Sequence, residues 1–124
     1  MSKKKILVVD DSRTALFMMT TILRKERYEL VTASDGEQAL QVAAAEMPDL
    51  ILMDVIMPRK TGFEACRELK RREDTKGIPI ILVTTRGEGE NVEAGFQSGC
   101  NDYVTKPINA QELLTKVRDH MGAR

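Results

Sequence analysis

The chain has 124 residues, of which 19 are basic, 19 are acidic and 42% are apolar. These values are typical of one soluble domain that holds a core without disulfide or metal support, so we expect residues 1–124 to form a single domain. The formal net charge of zero excludes a strongly basic surface for nucleic acid or for an anionic membrane, and direct DNA binding is not expected.

The first apolar run of the chain, Ile6–Val9, is too short for the core of a secretory signal, which needs about 7–15 apolar residues. No later run approaches the length of a membrane span. Cys66 and Cys100 are far apart and form no CxxC motif, which indicates free, buried thiols in a reducing compartment. We therefore expect a cytoplasmic protein.

Short apolar runs recur along the chain and predict five strands. Their apolarity is continuous rather than alternating, which is typical of strands that are covered on both faces in a parallel sheet. The predicted strands are Ile6–Val9, Leu30–Ala33, Leu50–Met53, Ile78–Val83 and Tyr103–Thr105.

Apolar residues at helical spacing follow each predicted strand, in stripes that include Met19, Leu40, Cys66, Phe96 and Leu113. Each connection is long enough to cross over a parallel sheet, so the pattern predicts an α/β fold with the βα unit repeated five times. The residues suited to cap the first, second, third and fifth helices are Asp11 or Ser12, Ser34 or Asp35, Thr61 and Asn109.

Charged or hydroxyl side chains stand at the ends of four predicted strands, and only the second strand has none. They are Asp10 and Asp11, Asp54, Thr84 and Lys106. Ligand sites of open α/β sheets lie at the carboxyl ends of the strands. Three carboxylates gathered there repel one another without a cation, and all-oxygen ligands suit Mg²⁺. A carboxylate beside a metal ion and a lysine can attack a phosphoryl group, which predicts an aspartyl phosphate site.

Five motifs occur in order along the chain: Val8–Asp11, Pro48–Asp54, Met57–Pro58 followed by Gly62, Val83–Thr84, and Tyr103–Pro107. Together they resemble the receiver domain of two-component response regulators, the CheY-like family, from Lys4 to about Met121. The resemblance implies a doubly wound, flavodoxin-like fold with a five-stranded parallel sheet of order 2-1-3-4-5. It also implies a single-domain response regulator in phosphorelay signal transduction. Such a protein catalyses its own phosphorylation and dephosphorylation without being a turnover enzyme.

The resemblance also implies a role for the acidic residues. Asp54 is expected to be the phosphoacceptor, while Asp10 and Asp11 hold Mg²⁺ directly or through water. The expected metal ligands are thus Asp10, Asp11, Asp54 and the backbone carbonyl of Ile56. The phosphoryl group is expected to come from a sensor histidine kinase or a histidine phosphotransfer protein.

The last two strands carry the residues that the family uses to respond to phosphorylation. The resemblance implies that Thr84 donates its hydroxyl to the acyl phosphate, that Lys106 pairs with a phosphoryl oxygen, and that the Lys106–Pro107 peptide bond is cis. Rotation of Thr84 would be coupled to the ring of Tyr103. This coupling would remodel the face formed by the fourth helix, the fifth strand and the fifth helix, where a downstream effector binds.

Phe17 lies opposite the apolar stripe of the first helix and is expected to face solvent near the acidic edge of the sheet, with Leu16 beside it. In the family this helix meets the histidine-bearing phosphodonor. We therefore hypothesise that Leu16 and Phe17 help to dock that partner. The protein itself is expected to be a monomer or a weak dimer.

Two positions favour a long-lived phosphorylated form. Ile56 and Arg86 stand two residues after Asp54 and Thr84, where they flank the path of water to the acyl phosphate in the resembling fold. An isoleucine cannot orient an attacking water, whereas Arg86 can reach over the phosphate. We predict slower self-dephosphorylation than in a member with polar side chains at both positions.

Several alternatives stay open at this point. The chain can be a receiver cut from a longer regulator, or a pseudo-receiver that docks without phosphorylation. A flavodoxin-like cofactor binder would need Ser, Thr and Gly after the first strand, where Asp10 and Asp11 stand. A phosphatase of the haloacid dehalogenase type would carry a second Asp two residues after its nucleophile, where Ile56 stands. Taken alone, Asp11 is also a suitable helix cap.

Overall fold

The computed structural model describes residues 3–85 and 96–121. The strands in this part of the chain are β1 (Lys5–Val9), β2 (Glu29–Ala33), β3 (Leu50–Asp54), β4 (Ile80–Thr85) and β5 (Asp102–Lys106). The helices are α1 (Arg13–Arg24), α2 (Gly36–Glu46), α3 (Gly62–Arg71) and α4 (Ala110–Met121).

All five strands are parallel and form one sheet of order β2-β1-β3-β4-β5, which confirms the predicted CheY-like, flavodoxin-like fold. The order reverses at β1, because β2 lies on one side of it and the rest of the sheet continues from β3 on the other. Ligand sites of such sheets form at this point of reversal. The strands that end there are β1 and β3, which carry the acidic residues.

The two faces of the sheet explain why its strands are apolar throughout. Leu7 and Val9 pack into a core shared with α2 and α3, whereas Ile6 and Val8 face a second core shared with α1 and α4. Successive side chains of a strand point to opposite faces, so a sheet covered on both sides needs apolar residues at every position. Cys66 and Cys100 are free and buried, as predicted.

Side-chain caps fix where the helices begin, close to the acidic edge. Of the alternatives, Ser12 caps α1 and Asp35 caps α2, while Thr61 forms a reciprocal capping box with Glu64 at α3. Asn109 accepts a hydrogen bond from the Glu112 amide at the start of α4. Ser12 rather than Asp11 therefore caps α1, so capping does not occupy the Asp11 carboxylate.

Some element boundaries differ from the predicted ones. The predicted fourth strand begins too early, at Ile78, because the Ile78 N–H donates to Thr75 in a turn and Pro79 has no N–H to donate. Asp54, Thr84 and Lys106 belong to their strands rather than following them. The predicted glycine-rich loop at residues 86–90, and the predicted fourth helix as far as residue 95, lie outside the described residues. The predicted fifth helix is α4.

No helix in the described ranges combines the length and the apolarity that crossing a membrane requires.

Candidate functional site

Asp10, Asp11 and Asp54 meet at the carboxyl ends of β1 and β3. Each offers a carboxylate oxygen, and these oxygens lie within 4.8 Å of one another. Asp10 is fully buried and Asp54 is 6% exposed, whereas Asp11 faces solvent. The sheet thus gathers three negative charges in a small, half-buried volume, as the strand ends predicted.

Among the residues that the structure describes, Lys106 brings the positive charge nearest to this cluster. Its Nζ lies 3.1 Å from Asp10 Oδ2 and 3.6 Å from Asp54 Oδ1. The second oxygen of Asp10 accepts a hydrogen bond from the Ser12 amide at 2.9 Å. Asp10 is therefore well compensated, and Asp54 holds the weaker of the two contacts with Lys106.

The pKa values reflect this imbalance. Burial, followed by the charge on Asp10, raises the pKa of Asp54 to about 6, against the opposing influence of Lys106. Burial lowers the pKa of Lys106, but the hydrogen bond to Asp10 and the charge on Asp54 outweigh it, so that the net shift is upward. The site is therefore short of positive charge, and a bound cation would lower the pKa of Asp54.

The donor set fits Mg²⁺. Three carboxylates face one ammonium group, all the available donors are oxygen atoms, and Asp11 leaves one side of the cluster open to solvent. Mg²⁺ is held in proteins by one or two carboxylates, keeps several waters, and tolerates a phosphate oxygen as a further ligand. The residues present thus suit a hard divalent cation.

Thr84 lies on β4, next to the strand that carries Asp54. It is 3% exposed, and among residues 3–85 and 96–121 its hydroxyl oxygen is buried without a hydrogen-bond partner. An unpaired buried hydroxyl is costly, so its presence needs a reason. A phosphoryl oxygen on the neighbouring Asp54 would supply the missing acceptor.

We expect Thr84→Val to raise the free energy of unfolding of the metal-free protein by about 1 kcal/mol, because the unpaired hydroxyl is removed. The measurement is urea unfolding without Mg²⁺. Thr75→Val is the matched control, since Thr75 is also buried but donates its hydroxyl to the Leu69 carbonyl at 2.7 Å. Equal destabilisation by the two substitutions would contradict this account of Thr84.

Tyr103 lies on β5 with its ring half-buried against the core. The ring makes an edge-to-face contact with Phe96 at 5.8 Å, and Lys116 Nζ lies 5.2 Å from the ring centroid. Lys116 also donates to the Tyr103 carbonyl at 2.6 Å and pairs with Asp102 at 3.1 Å. The sequence did not single out Lys116, because nothing in its helical spacing shows that it folds over this ring.

Part of the exposed face of α1 lies close to Lys106, because Met18 and Lys106 line the same pocket. Phe17 is 70% exposed, as its position on the helix predicted, and Met18 is 45% exposed. Leu16 is half-buried and packs against the core, so less of its side chain is available for contact. An apolar pocket of about 160 Å³ lies beside Met18, and its other walls are Ala15, Lys106, Pro107 and Ile108.

The remaining predicted positions flank the cluster. Ile56 is 56% exposed on the loop after β3, close in sequence to Asp54. The Lys106–Pro107 peptide bond is cis. Arg86 lies outside the described residues.

An acidic cluster lies at the point of reversal of a doubly wound parallel sheet and is met there by a lysine from β5, an arrangement consistent with a phosphoacceptor role. The family model of the response regulator receiver domain matches residues 6–118. The chain therefore belongs to the response regulator receiver domain family, whose members act in two-component signalling as switches rather than as turnover enzymes. This sets aside the cofactor-binding and phosphatase alternatives.

Individual relatives agree with this assignment. The protein PilH of Pseudomonas aeruginosa is 37% identical over 113 residues, which cover 91% of this chain and 93% of PilH. Several longer curated relatives match as well, and the chain spans about half or a quarter of their lengths.

Two solved structures show the same fold. The chemotaxis response regulator CheY4 of Vibrio cholerae is 34% identical with a TM-score of 0.89, covering 96% of this chain and 99% of that one. The receiver domain of sensor histidine kinase PA1611 from Pseudomonas aeruginosa is 31% identical with a TM-score of 0.90, covering 98% of this chain and all of that one. The PA1611 structure holds a magnesium ion in its active-site cleft.

Proposed function

We propose that this chain accepts a phosphoryl group on Asp54 in a Mg²⁺-dependent reaction and responds by changing the surface around β5 and α4. The observation that carries the proposal is the buried Asp54 carboxylate, which lies 3.6 Å from Lys106 within a cluster of three aspartates. A histidine kinase or a histidine phosphotransfer protein would supply the phosphoryl group.

The transfer begins with Asp54 in its charged form. One carboxylate oxygen attacks the phosphorus atom of the donor, the bond from phosphorus to the donor's imidazole nitrogen breaks, and an acyl phosphate forms. The imidazole leaves with its electron pair and takes up a proton. Because the pKa of metal-free Asp54 is about 6, the carboxylate is already largely ionised at neutral pH.

The metal would be held by Asp10, Asp11, Asp54 and the backbone carbonyl of Ile56. When bound, Mg²⁺ supplies positive charge to the phosphoryl oxygens and to the acidic cluster. Lys106 supplies positive charge from the end of β5 and keeps its proton, because its net pKa shift is upward. Asp10 positions Lys106 through the 3.1 Å contact between them.

The unpaired hydroxyl of Thr84 and the ring of Tyr103 support a switch. When Thr84 donates to the phosphoryl group, its side chain turns toward Asp54 and gives up space next to β5. Tyr103 can then move inward, away from Phe96 and Lys116. The altered surface of β5 and α4 would be read by a downstream effector protein.

Replacing Phe17 with alanine is expected to slow phosphotransfer from the cognate histidine-bearing partner about tenfold, since a large exposed aromatic beside a reactive site is typical of an interface anchor. The rate with acetyl phosphate should stay unchanged, because that donor needs no docking surface. Met47→Ala is the control, as Met47 is exposed at the far end of α2. Unaltered transfer by the Phe17 variant would refute the docking role.

Replacing Ile56 with asparagine is expected to speed self-dephosphorylation about tenfold, because one hydrogen bond of about 1.4 kcal/mol to the attacking water corresponds to that factor. The decay of the phosphorylated mass after donor removal measures the rate. Ile56→Leu keeps an apolar side chain and should leave the rate unchanged. If both variants decay like the wild type, Ile56 does not control the access of water.

Intact-mass spectrometry with acetyl phosphate tests the proposed function. We expect one phosphoryl group per chain with Mg²⁺, none with a chelator, and none in Asp54→Asn. Labelling that persists in the variant would refute Asp54 as the acceptor. A wild-type chain that binds Mg²⁺ but takes no label would instead favour the docking pseudo-receiver.

The chain's boundaries, its monomeric or weakly dimeric state and its cytoplasmic location stay predictions. Because the chain spans only part of several longer relatives, a receiver within a longer regulator stays an alternative to a single-domain protein. The phosphorylation chemistry proposed for Asp54 is the same in both cases.

A further inference from the structure

The loop between β3 and α3, residues 55–61, carries Ile56 and is fixed at its base. The Gly62 N–H donates to the Val55 carbonyl at 2.8 Å, and a Cβ atom on Gly62 would overlap the carbonyl oxygen of Asp54. Val55 and Met57 are buried on either side of the exposed Ile56. The two ends of the loop are therefore held against the end of β3.

The outer part of the same loop rests on the start of α2. A Cβ atom on Gly36 would overlap the carbonyl oxygen of Lys60, so the two backbones touch with no room for a side chain. Arg59 Nε donates to Asp35 Oδ2 at 3.2 Å. The other oxygen of Asp35 caps α2, and this side chain is only 14% exposed. A close backbone contact thus joins the loop to α2, together with an ion pair in which Asp35 is largely buried and Arg59 is 71% exposed.

The last residue of β2 also reaches the acidic cluster. The Asp10 N–H donates to the Ala33 carbonyl at 3.1 Å, and Ala33 lies three residues before Gly36. Residues 34–36, here called the β2–α2 turn, therefore follow directly on the strand residue that bonds Asp10, and they touch the β3–α3 loop. The second strand offers no ligand of its own, yet it bonds the backbone of Asp10 and leads into the turn that contacts the β3–α3 loop.

We propose that the β2–α2 turn positions the β3–α3 loop for metal binding, with Gly36 and Arg59 as positioning residues that do not touch the ion. The inference rests on the proposed function, in which the Ile56 carbonyl is a ligand. Groups that orient metal ligands from outside influence affinity strongly, because a misplaced ligand binds poorly. Loosening the contact between loop and turn therefore weakens Mg²⁺ binding with the carboxylate cluster intact.

Substitution of Arg59 separates this mechanism from simple electrostatics. Removing a positive charge near an acidic site makes the local potential more negative, which by itself tightens Mg²⁺ binding. Loss of the tether to Asp35 has the opposite effect. Arg59 has φ +69°, and alanine at this position carries the same left-handed backbone, so Arg59→Ala does not relieve that strain.

The test is isothermal titration of Mg²⁺ into the full chain, without a phosphodonor. For Gly36→Ala we expect the Kd for Mg²⁺ to rise about tenfold. This is the lower end of the usual loss of affinity when a group that orients a metal ligand is replaced. Gly77→Ala is its control, since a Cβ on Gly77 meets no atom within 4 Å. Arg59→Ala should also weaken binding, whereas Arg71→Ala, an exposed arginine at the end of α3, should not.

The outcomes distinguish the two levels of the proposal. A wild-type chain that binds no Mg²⁺ would overturn the metal site and this inference with it. Wild-type binding with an unchanged Kd in Gly36→Ala would overturn this inference alone. If the amide NMR spectrum shows that Gly36→Ala does not fold, Arg59→Ala decides: weaker binding supports the positioning role, and equal or tighter binding overturns it.

Discussion

Replacing Lys106 with alanine is expected to slow phosphorylation by acetyl phosphate at least about a hundredfold, the usual cost of removing one preorganised group that stabilises a transition-state charge. Among the described residues, Lys106 is the positively charged side chain that lies within 4 Å of both Asp10 and Asp54. In the variant, the metal alone would neutralise the negative charge on the phosphoryl oxygens.

The rate should be compared at saturating Mg²⁺, because loss of Lys106 leaves the carboxylates more negative and should tighten metal binding. Lys116→Ala is the matched control, since its side chain has the same 26% exposure but pairs with Asp102. A Lys106 variant that is phosphorylated at the wild-type rate would show that its charge does not act on the transferred group.

Replacing Asp54 with asparagine is expected to stabilise the metal-free protein at neutral pH by at most about 3 kcal/mol, because the pKa of Asp54 is raised by about two units and each unit corresponds to 1.36 kcal/mol. The folded state binds the proton of Asp54 more tightly than the unfolded state does. The contribution of Asp54 to stability therefore falls as the pH rises from about 4 through 6.

The measurement is urea unfolding of the wild type and Asp54→Asn with a chelator present, from pH 4 to pH 7 by about one-unit steps to resolve this raised pKa. The difference between the proteins should be small at pH 4 and largest at pH 7. Adding Mg²⁺ should stabilise the wild type more than the variant. A variant that is less stable than the wild type at neutral pH without metal would contradict the raised pKa of Asp54.

The sheet and the acidic cluster could be predicted because they depend on simple periodic rules. Continuous apolar runs indicate strands buried on both faces, and parallel strands bring their carboxyl ends to one edge. Asp10 and Asp54 follow directly from that geometry. The exact place of Asp54 did not, since it still pairs with Val83 in the ladder as the last residue of β3.

The support around the site could not be predicted from the sequence. The contact of Gly36 with Lys60 depends on how two connections far apart in sequence approach each other. The positive φ of Arg59 is unexpected for a residue with a Cβ atom. Lys116 meets Tyr103 because α4 packs beside β5, which brings together residues 13 positions apart in sequence. Such contacts are set by tertiary packing and leave no local pattern.

The most direct test of the account is to locate the phosphoryl group by chemistry. An acyl phosphate is reduced by borohydride to an alcohol, so a phosphorylated aspartate becomes homoserine, which peptide mass spectrometry identifies by position. After treatment with acetyl phosphate and Mg²⁺, the account predicts homoserine at residue 54, and none there when a chelator replaces Mg²⁺. Homoserine at another aspartate, or its absence from residue 54 in the treated protein, would contradict it.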